Sequence, residues 1–408
     1  MKAEGFCKLW AQVWLVLIFA GVDRSVIAQE TRPNAALSTG KAAVTAGNSS
    51  VNWVGSEQVQ GGTGWAPAPV FTGGFTVGLV QGDGRNDGTV RLYGTQITFP
   101  TSTLREFTFD GSWANTSNIN VPFFAEGALL LTDGRDGGQH LYVADSDFGG
   151  NTLEFTWDGA SWIGTAMGAA GQQLIGAAAG DARGDGSPHL YFSTSNAPAP
   201  NNLSFEYTFN GTAWMSAPIA SPLGRFSNGT YAIAVADGRN DAVLRIYQGV
   251  FDALLGQFHA YELSWNGADW DASRLNSGLL AQVTDIVVGD GRNDGTNRVY
   301  VAVWDTGLRE FTYNGSGWDQ TADISIGPNV FGVAIGDGQG DGINRLYTAQ
   351  HSPARVMEAT FDGATWQTAL VGNLGGPVIQ VSVGDARGDG VKRVYSSGQS
   401  GVFEFTHL

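Results

Sequence analysis

The sequence predicts an all-β chain, a seven-bladed β-propeller with four antiparallel strands per blade and a last blade closed by the N-terminal strand. Three observations predict it. One cassette recurs seven times at a near-constant period. Each copy reads as short strands joined by tight turns. The final copy stops one strand early, and the missing strand lies near the other end of the chain.

The period is read from the first aspartate of each copy: Asp83, Asp133, Asp181, Asp237, Asp290, Asp337 and Asp385, spaced 47 to 56 residues apart. Self-similarity at such a spacing marks a solenoid, a propeller or a module array. The fullest copy runs Gly289-Asp290-Gly291-Arg292-Asn293-Asp294-Gly295, then Arg298-Val299-Tyr300, then Leu308-Arg309-Glu310-Phe311-Thr312-Tyr313, then Asn314-Gly315 and Trp318. Ile286–Val288, Arg298–Val303 and Leu308–Tyr313 are rich in β-branched and aromatic residues and read as strands. With Trp304 and Leu308 flanking the hairpin turn, Tyr300 is expected opposite Thr312, and Glu310 opposite Ala302 on the face of Tyr300. Asn-Gly or Asp-Gly follows the third strand in six copies, and such dipeptides accept positive φ at both positions of a tight hairpin. A tryptophan then opens the fourth strand. No stretch sustains a period of 3.6.

The seventh copy ends at Phe405-Thr406-His407-Leu408. Gly61-Gly62-Thr63-Gly64-Trp65 resembles the turn and tryptophan that this copy lacks. The strand near Trp65 is therefore expected to complete the last blade and remove an open sheet edge.

The loop pattern Asp-x-x-x-Asp-Gly resembles that of FG-GAP/VCBS-type repeats, a family of propellers that often carry calcium loops of the form Asp-x-Asn-x-Asp-Gly-x-x-Asp. Asp83, Asp87 and Gly88 match the first, fifth and sixth positions. The third and ninth positions depart from it: Arg85 and Arg91 stand where the family places oxygen ligands. Similar replacements run through the copies, so the loops built on Asp83, Asp87 and Arg91, and on Asp290, Asp294 and Arg298, read as turns locked by arginine, a guanidinium supplying the positive charge of a metal. Calcium in some loops is the alternative. Asp337 and Asp341, with Gln339 at the third position, are then the first candidates. No other cofactor is expected.

Residues 1–28 read as a secretory signal: Lys2 and Lys8, an apolar stretch from Trp14 to Val22, and Val26-Ile27-Ala28 as the cleavage site. Residues 29–50 read as a flexible leader, and 51–408 as the propeller. Secretion to the periplasm or the exterior follows, with no membrane span after cleavage. The sole cysteine, Cys7, lies in the signal. A net charge of −16 excludes binding to a nucleic-acid backbone.

No nucleophile elbow, phosphate loop or zinc spacing is present. The glutamate repeated in every copy, from Glu106 to Glu404, reads as a hydrogen-bond acceptor, since an enzyme needs one asymmetric constellation. Asymmetry lies in the connections of one face, where binding residues commonly sit. Their loops bring Phe99, Phe148, Phe251, Phe258, Trp304 and Asp305, an aromatic and acidic set suited to a glycan or an extracellular protein. Two other classes stay open: a carbohydrate-active lyase or hydrolase with a cross-blade site, and a scaffold subunit of a surface assembly.

Overall fold

The computed structural model describes residues 59–408 apart from 148, 196–201, 221–226, 253–255 and 276–280. The signal and leader segments, and Phe148, lie outside the described residues. Seven antiparallel sheets follow one another along the chain, and in five of them the strands lie in sequence order across the blade. Blade 5 is typical, with strands Val283–Gly289, Arg298–Val303, Gly307–Tyr313 and Trp318–Ile324. Blade 1 begins at Thr76, blade 2 at Leu129, blade 3 at Gln173, blade 4 at Ser227, blade 6 at Val330 and blade 7 at Val378. Among the described residues no helix is long and apolar enough to cross a membrane.

Blade 7 holds Val378–Gly384, Arg393–Gly398 and Gly401–His407, and its fourth strand is Trp65–Phe71, paired so that Trp65 faces His407 and Ala66 faces Thr406. The inner strand of blade 7 packs on that of blade 1, which closes the ring. One element was not foreseen. Gln60–Gly61 pairs with Asn373 and Gly372 as a fifth strand on blade 6. The chain thus crosses from blade 6 to blade 7 within a few residues. Gly62 permits this close approach, because a Cβ there would fall 1.7 Å from the Leu370 carbonyl oxygen.

One aromatic pair recurs at every seam between blades. The tryptophan of one blade meets edge-on the tyrosine on the second strand of the blade before it. The pairs are Trp113–Tyr395, Trp162–Tyr93, Trp214–Tyr142, Trp270–Tyr191, Trp318–Tyr247, Trp366–Tyr300 and Trp65–Tyr347, with ring centroids 5.6–6.2 Å apart. All these tyrosines are fully buried. Each edge-to-face pair contributes about 0.5–1.5 kcal/mol beyond area burial. Trp65 takes the seventh place, which confirms the strand exchange.

Two local expectations are corrected. Tyr300 lies opposite Glu310, and Ala302 opposite Leu308, two residues from the expected register. Gly307, at φ +103°, joins the strand and pairs with Val303, which moves the three-residue turn one position back to 304–306. Five of the six Asn-Gly and Asp-Gly turns are four-residue loops closed by the side chain, and the Asp110 turn has three residues. Asn314 Oδ1 accepts from the N–H groups of Ser316 and Gly317, and only the glycine has positive φ. The short polar side chain mimics a backbone turn there.

Candidate functional site

The propeller has two unlike faces. On one, the aspartate loops link the first strand to the second. The first aspartate folds its own loop: Asp290 Oδ1 and Oδ2 accept from the N–H groups of Asp294 and Gly295 at 3.1 and 2.7 Å. The second aspartate takes the ninth-position arginine bidentately: Arg298 donates to both oxygens of Asp294 at 2.9 and 2.7 Å. Arg91–Asp87, Arg245–Asp241, Arg345–Asp341 and Arg393–Asp389 repeat this fork, and His140–Asp136 and His189–Asp185 stand in its place in blades 2 and 3. The guanidinium holds Asp241, Asp294 and Asp389 down to about 2.

The third-position arginine turns inward to the repeated glutamate. Arg292 Nε donates to Glu310 at 2.9 Å, and equivalent pairs join Arg85–Glu106, Arg135–Glu154, Arg183–Glu206, Arg239–Glu262 and Arg387–Glu404. In blade 6, Gln339 donates to both oxygens of Glu358. The tyrosines of blades 2, 3 and 4 donate to the same carboxylates. Between blades, Trp113 and Trp214 donate to Glu404 and Glu154. The repeated carboxylates are therefore structural acceptors, held by cations in a buried setting.

Asp337 and Asp341 do not stand apart from the other loops. Both oxygens of Asp337 accept backbone N–H groups, and both oxygens of Asp341 accept from Arg345. A calcium ion needs six to eight oxygen ligands. The residues present do not fit it, since Arg345 would have to leave before Asp341 could ligate.

The other face carries the second-to-third strand turns and the connections between blades. Phe99 lies here, 75% exposed, at the tip of a hairpin, with its ring edge-on to buried Phe124 at 6.0 Å. Phe251 and Phe258 were expected in a long loop. They are instead directly cross-strand near the end of an extended hairpin, half-buried, with centroids 4.9 Å apart. Trp304 is half-buried between Phe331 and His351, at 5.9 and 5.6 Å, and Asp305 beside it is exposed.

At the centre of this face is a cavity of about 100 Å³ to which all seven blades contribute. It therefore lies on the propeller axis. Its lining includes Val77, Glu126, Ile233, Asp285, Phe331 and Gln380. Phe331 links it to Trp304. Asp285 is its unusual member: burial pushes this carboxyl up to about 7. Sequence reasoning passed over Asp285, although the position five residues before the loop aspartate is glycine or alanine in five of the seven copies.

A second concavity of about 600 Å³ opens on the side of the ring between blades 1 and 2. Trp157, Trp162 and Phe155 form one wall, and Ser117, Asn118 and Asn120 of the blade 1 outer strand form the other. It opens beside Gly164, over which the Phe155 ring lies; a Cβ there would sit 2.9 Å from that ring.

No family model and no curated protein matches the chain. Solved structures do. BBS1N in complex with ARL6DN, soaked with lead, shares 13% identity at a TM-score of 0.55, the match covering 83% of this chain and 94% of that one. Sqt1 of Saccharomyces cerevisiae shares 9% at a TM-score of 0.50, covering 82% and 96%. Likeness at these identities shows the fold alone, and on fold and strand order the chain is a seven-bladed β-propeller.

Proposed function

We propose that this chain is a secreted, non-enzymatic propeller that binds an extracellular protein at its variable-loop face. The observation that carries this is the contrast between the faces. Second-position aspartates and repeated glutamates on the loop side are engaged by arginine, histidine or glutamine. The opposite face gathers an exposed phenylalanine, a half-buried tryptophan and an axial carboxyl without a counter-cation among the described residues. A half-buried carboxyl left unbalanced in a concave pocket is a candidate for ligand binding. A propeller of similar fold, BBS1N, is recorded in complex with the protein ARL6DN. The Asp-x-x-x-Asp-Gly loops support an FG-GAP/VCBS-like reading of the repeats, with arginine in the place of a metal.

Photo-crosslinking residues placed at Phe99 and at Asp305 test the face. The expected result is one crosslinked protein from both positions and none from Ser316 on the opposite face. Crosslinking from Ser316 alone, or the release of reducing or unsaturated sugar ends from a polysaccharide, overturns the proposal. The secretory part is tested by sequencing the mature N-terminus, expected at Gln29.

The groove between blades 1 and 2 favours a second reading, a glycan site. Its indoles and amides supply the apolar and hydrogen-bonding surface that a sugar ring takes. Saturable glycan binding that Asn120→Trp blocks supports it, and binding untouched by that change removes it.

A further inference from the structure

The inner strands crowd together around the axis, and the position five residues before each loop aspartate meets the next blade there. It is occupied by Gly78, Ala128, Gly176, Ala232, Asp285, Gly332 and Gln380. Sterics explain the small residues. A Cβ on Gly332 would come 2.8 Å from the Ile379 carbonyl oxygen, and one on Gly78 would lie 3.0 Å from Leu129 Cβ. Asp285 and Gln380 break the pattern, and both line the axial cavity.

Asp285 is held in place. Oδ1 accepts from the Ile286 N–H and Oδ2 from the Val333 N–H of blade 6, each at 2.8 Å. Two backbone donors orient the carboxyl but do not balance its charge. Its walls are mixed: the apolar side chains of Val77, Leu129, Ile233, Phe331 and Ile379 are interrupted by Glu126, Thr284 and Gln380. Among the described residues, Glu126 is the other ionisable group in the lining and carries the same sign. A charge placed in such walls is costly unless a partner of opposite sign joins it. The space, about 100 Å³, is roughly that of three waters. It admits a compact charged head.

We propose that the axial cavity seats one cationic nitrogen group, an ammonium or a guanidinium, arriving from the variable-loop face. Asp285 supplies the counter-charge, the Gln380 side-chain carbonyl accepts a hydrogen bond, and the Phe331 ring offers its face. This deepens the protein-binding reading and rests on it for the source of the group, a lysine or arginine side chain on a partner. A free amine is the other source of the same chemistry.

The test is a methyl NMR titration of the intact protein with methylguanidine and with methylammonium at pH 8, with urea as the neutral control. Saturable shifts confined to Val77, Leu129, Ile233 and Ile379 are expected with both cations and not with urea. The carboxyl sits at about 7, so a proton competes with the ligand below that value. The response should fall at least tenfold in affinity by pH 5.5. Asp285→Asn should abolish it, and Gln380→Leu should weaken it several-fold. No saturable shift at pH 8, or an equal shift at pH 5.5, overturns the seat, and the pH arm does so without a variant. Loss of probe binding in Asp285→Asn with a weaker crosslinked complex assigns the group to the protein partner. Probe binding lost while the crosslink is unchanged assigns it to a free amine. No probe binding with an intact crosslink removes the seat and leaves the face.

Discussion

The seam between blades 6 and 7 differs from the other six. At those six, the third-position arginine of one blade lies over the aromatic ring that ends the third strand of the next. The pairs are Arg85 over Trp157, Arg135 over Phe209, Arg183 over Trp265, Arg239 over Tyr313, Arg292 over Phe361 and Arg387 over Phe109, at 3.8–5.6 Å from the ring centroids. Each guanidinium thus serves a buried glutamate of its own blade and a ring of its neighbour. Asparagine adds a staple at three seams, where Asn86, Asn240 and Asn293 exchange hydrogen bonds with the backbone of Gln139, Asn297 and Asn344.

At the sixth seam both members of the stack change together. Gln339 replaces the arginine and His407 replaces the ring. A guanidinium beside an imidazole is unfavourable whenever the imidazole is protonated, and a neutral amide is indifferent to that charge. The asparagine position is Gly340 here, so that staple is also absent. The N-terminal segment stands in their place. Gln60–Gly61 pairs on blade 6, the Gly62 N–H donates to the Val371 carbonyl, and the Leu408 N–H donates to the Gly64 carbonyl, each at 2.8 Å. Trp65 then packs on both Tyr347 and His407. Six seams add an arginine stack to the tryptophan–tyrosine pair, and the closing seam keeps the pair and adds a crossing of the main chain.

Breaking the crossing should have the largest effect. Deleting residues through Phe71 removes the fourth strand of blade 7 and exposes the Gly401–His407 edge. We expect loss of a single cooperative melt in calorimetry, together with aggregation through that edge. Next in size is Arg292→Ala. It leaves Glu310, fully buried, without its guanidinium, which costs about 3–5 kcal/mol by the usual effect of breaking a buried pair. Gln339→Ala, the matching change at the closing seam, removes neutral donors from a carboxylate that still has Arg345 at 3.9 Å, and should cost about 1.5–3 kcal/mol in urea unfolding. Equal losses at the two seams would erase the comparison.

Rebuilding the stack sharpens it. Gln339→Arg and His407→Phe together should be more stable than the sum of the single changes by about 0.5–2 kcal/mol, the range of a cation over a ring. Strict additivity would show that the two positions do not meet. The smallest effect should come from calcium. A site filled at a hundred times its dissociation constant adds about 2.7 kcal/mol. We expect no change in melting temperature between chelator and excess calcium, because Arg345 and its four arginine equivalents, with His140 and His189 in blades 2 and 3, engage the second-position carboxylates.

Much of this ring was legible in the sequence. The period, the tyrosine, the tryptophan and the short last copy were enough to place Trp65–Phe71. The arginine lock was legible at the ninth position, where arginine stands four residues after its aspartate. The partner of the third-position arginine was not, since Glu310 lies 18 residues away and comes within reach only through the hairpin register, which hung on one glycine, Gly307. The joint change of Gln339 and His407 was a signal in the sequence, readable once the stack is known. Asp285 was hidden for another reason: it looks like any polar residue in a strand until the crowding at the axis shows why its counterparts are glycine and alanine.

The closure is tested most directly by a crosslink. Ala66 and Thr406 are direct partners across the antiparallel pair, where Cα atoms are about 4.5–5.5 Å apart and a disulfide fits. With Cys7→Ser, the double variant Ala66→Cys, Thr406→Cys should oxidise to a form that migrates faster without reductant and melts higher. If both thiols stay open to alkylation while the chain is folded, the two ends do not share a sheet, and the account of the ring fails.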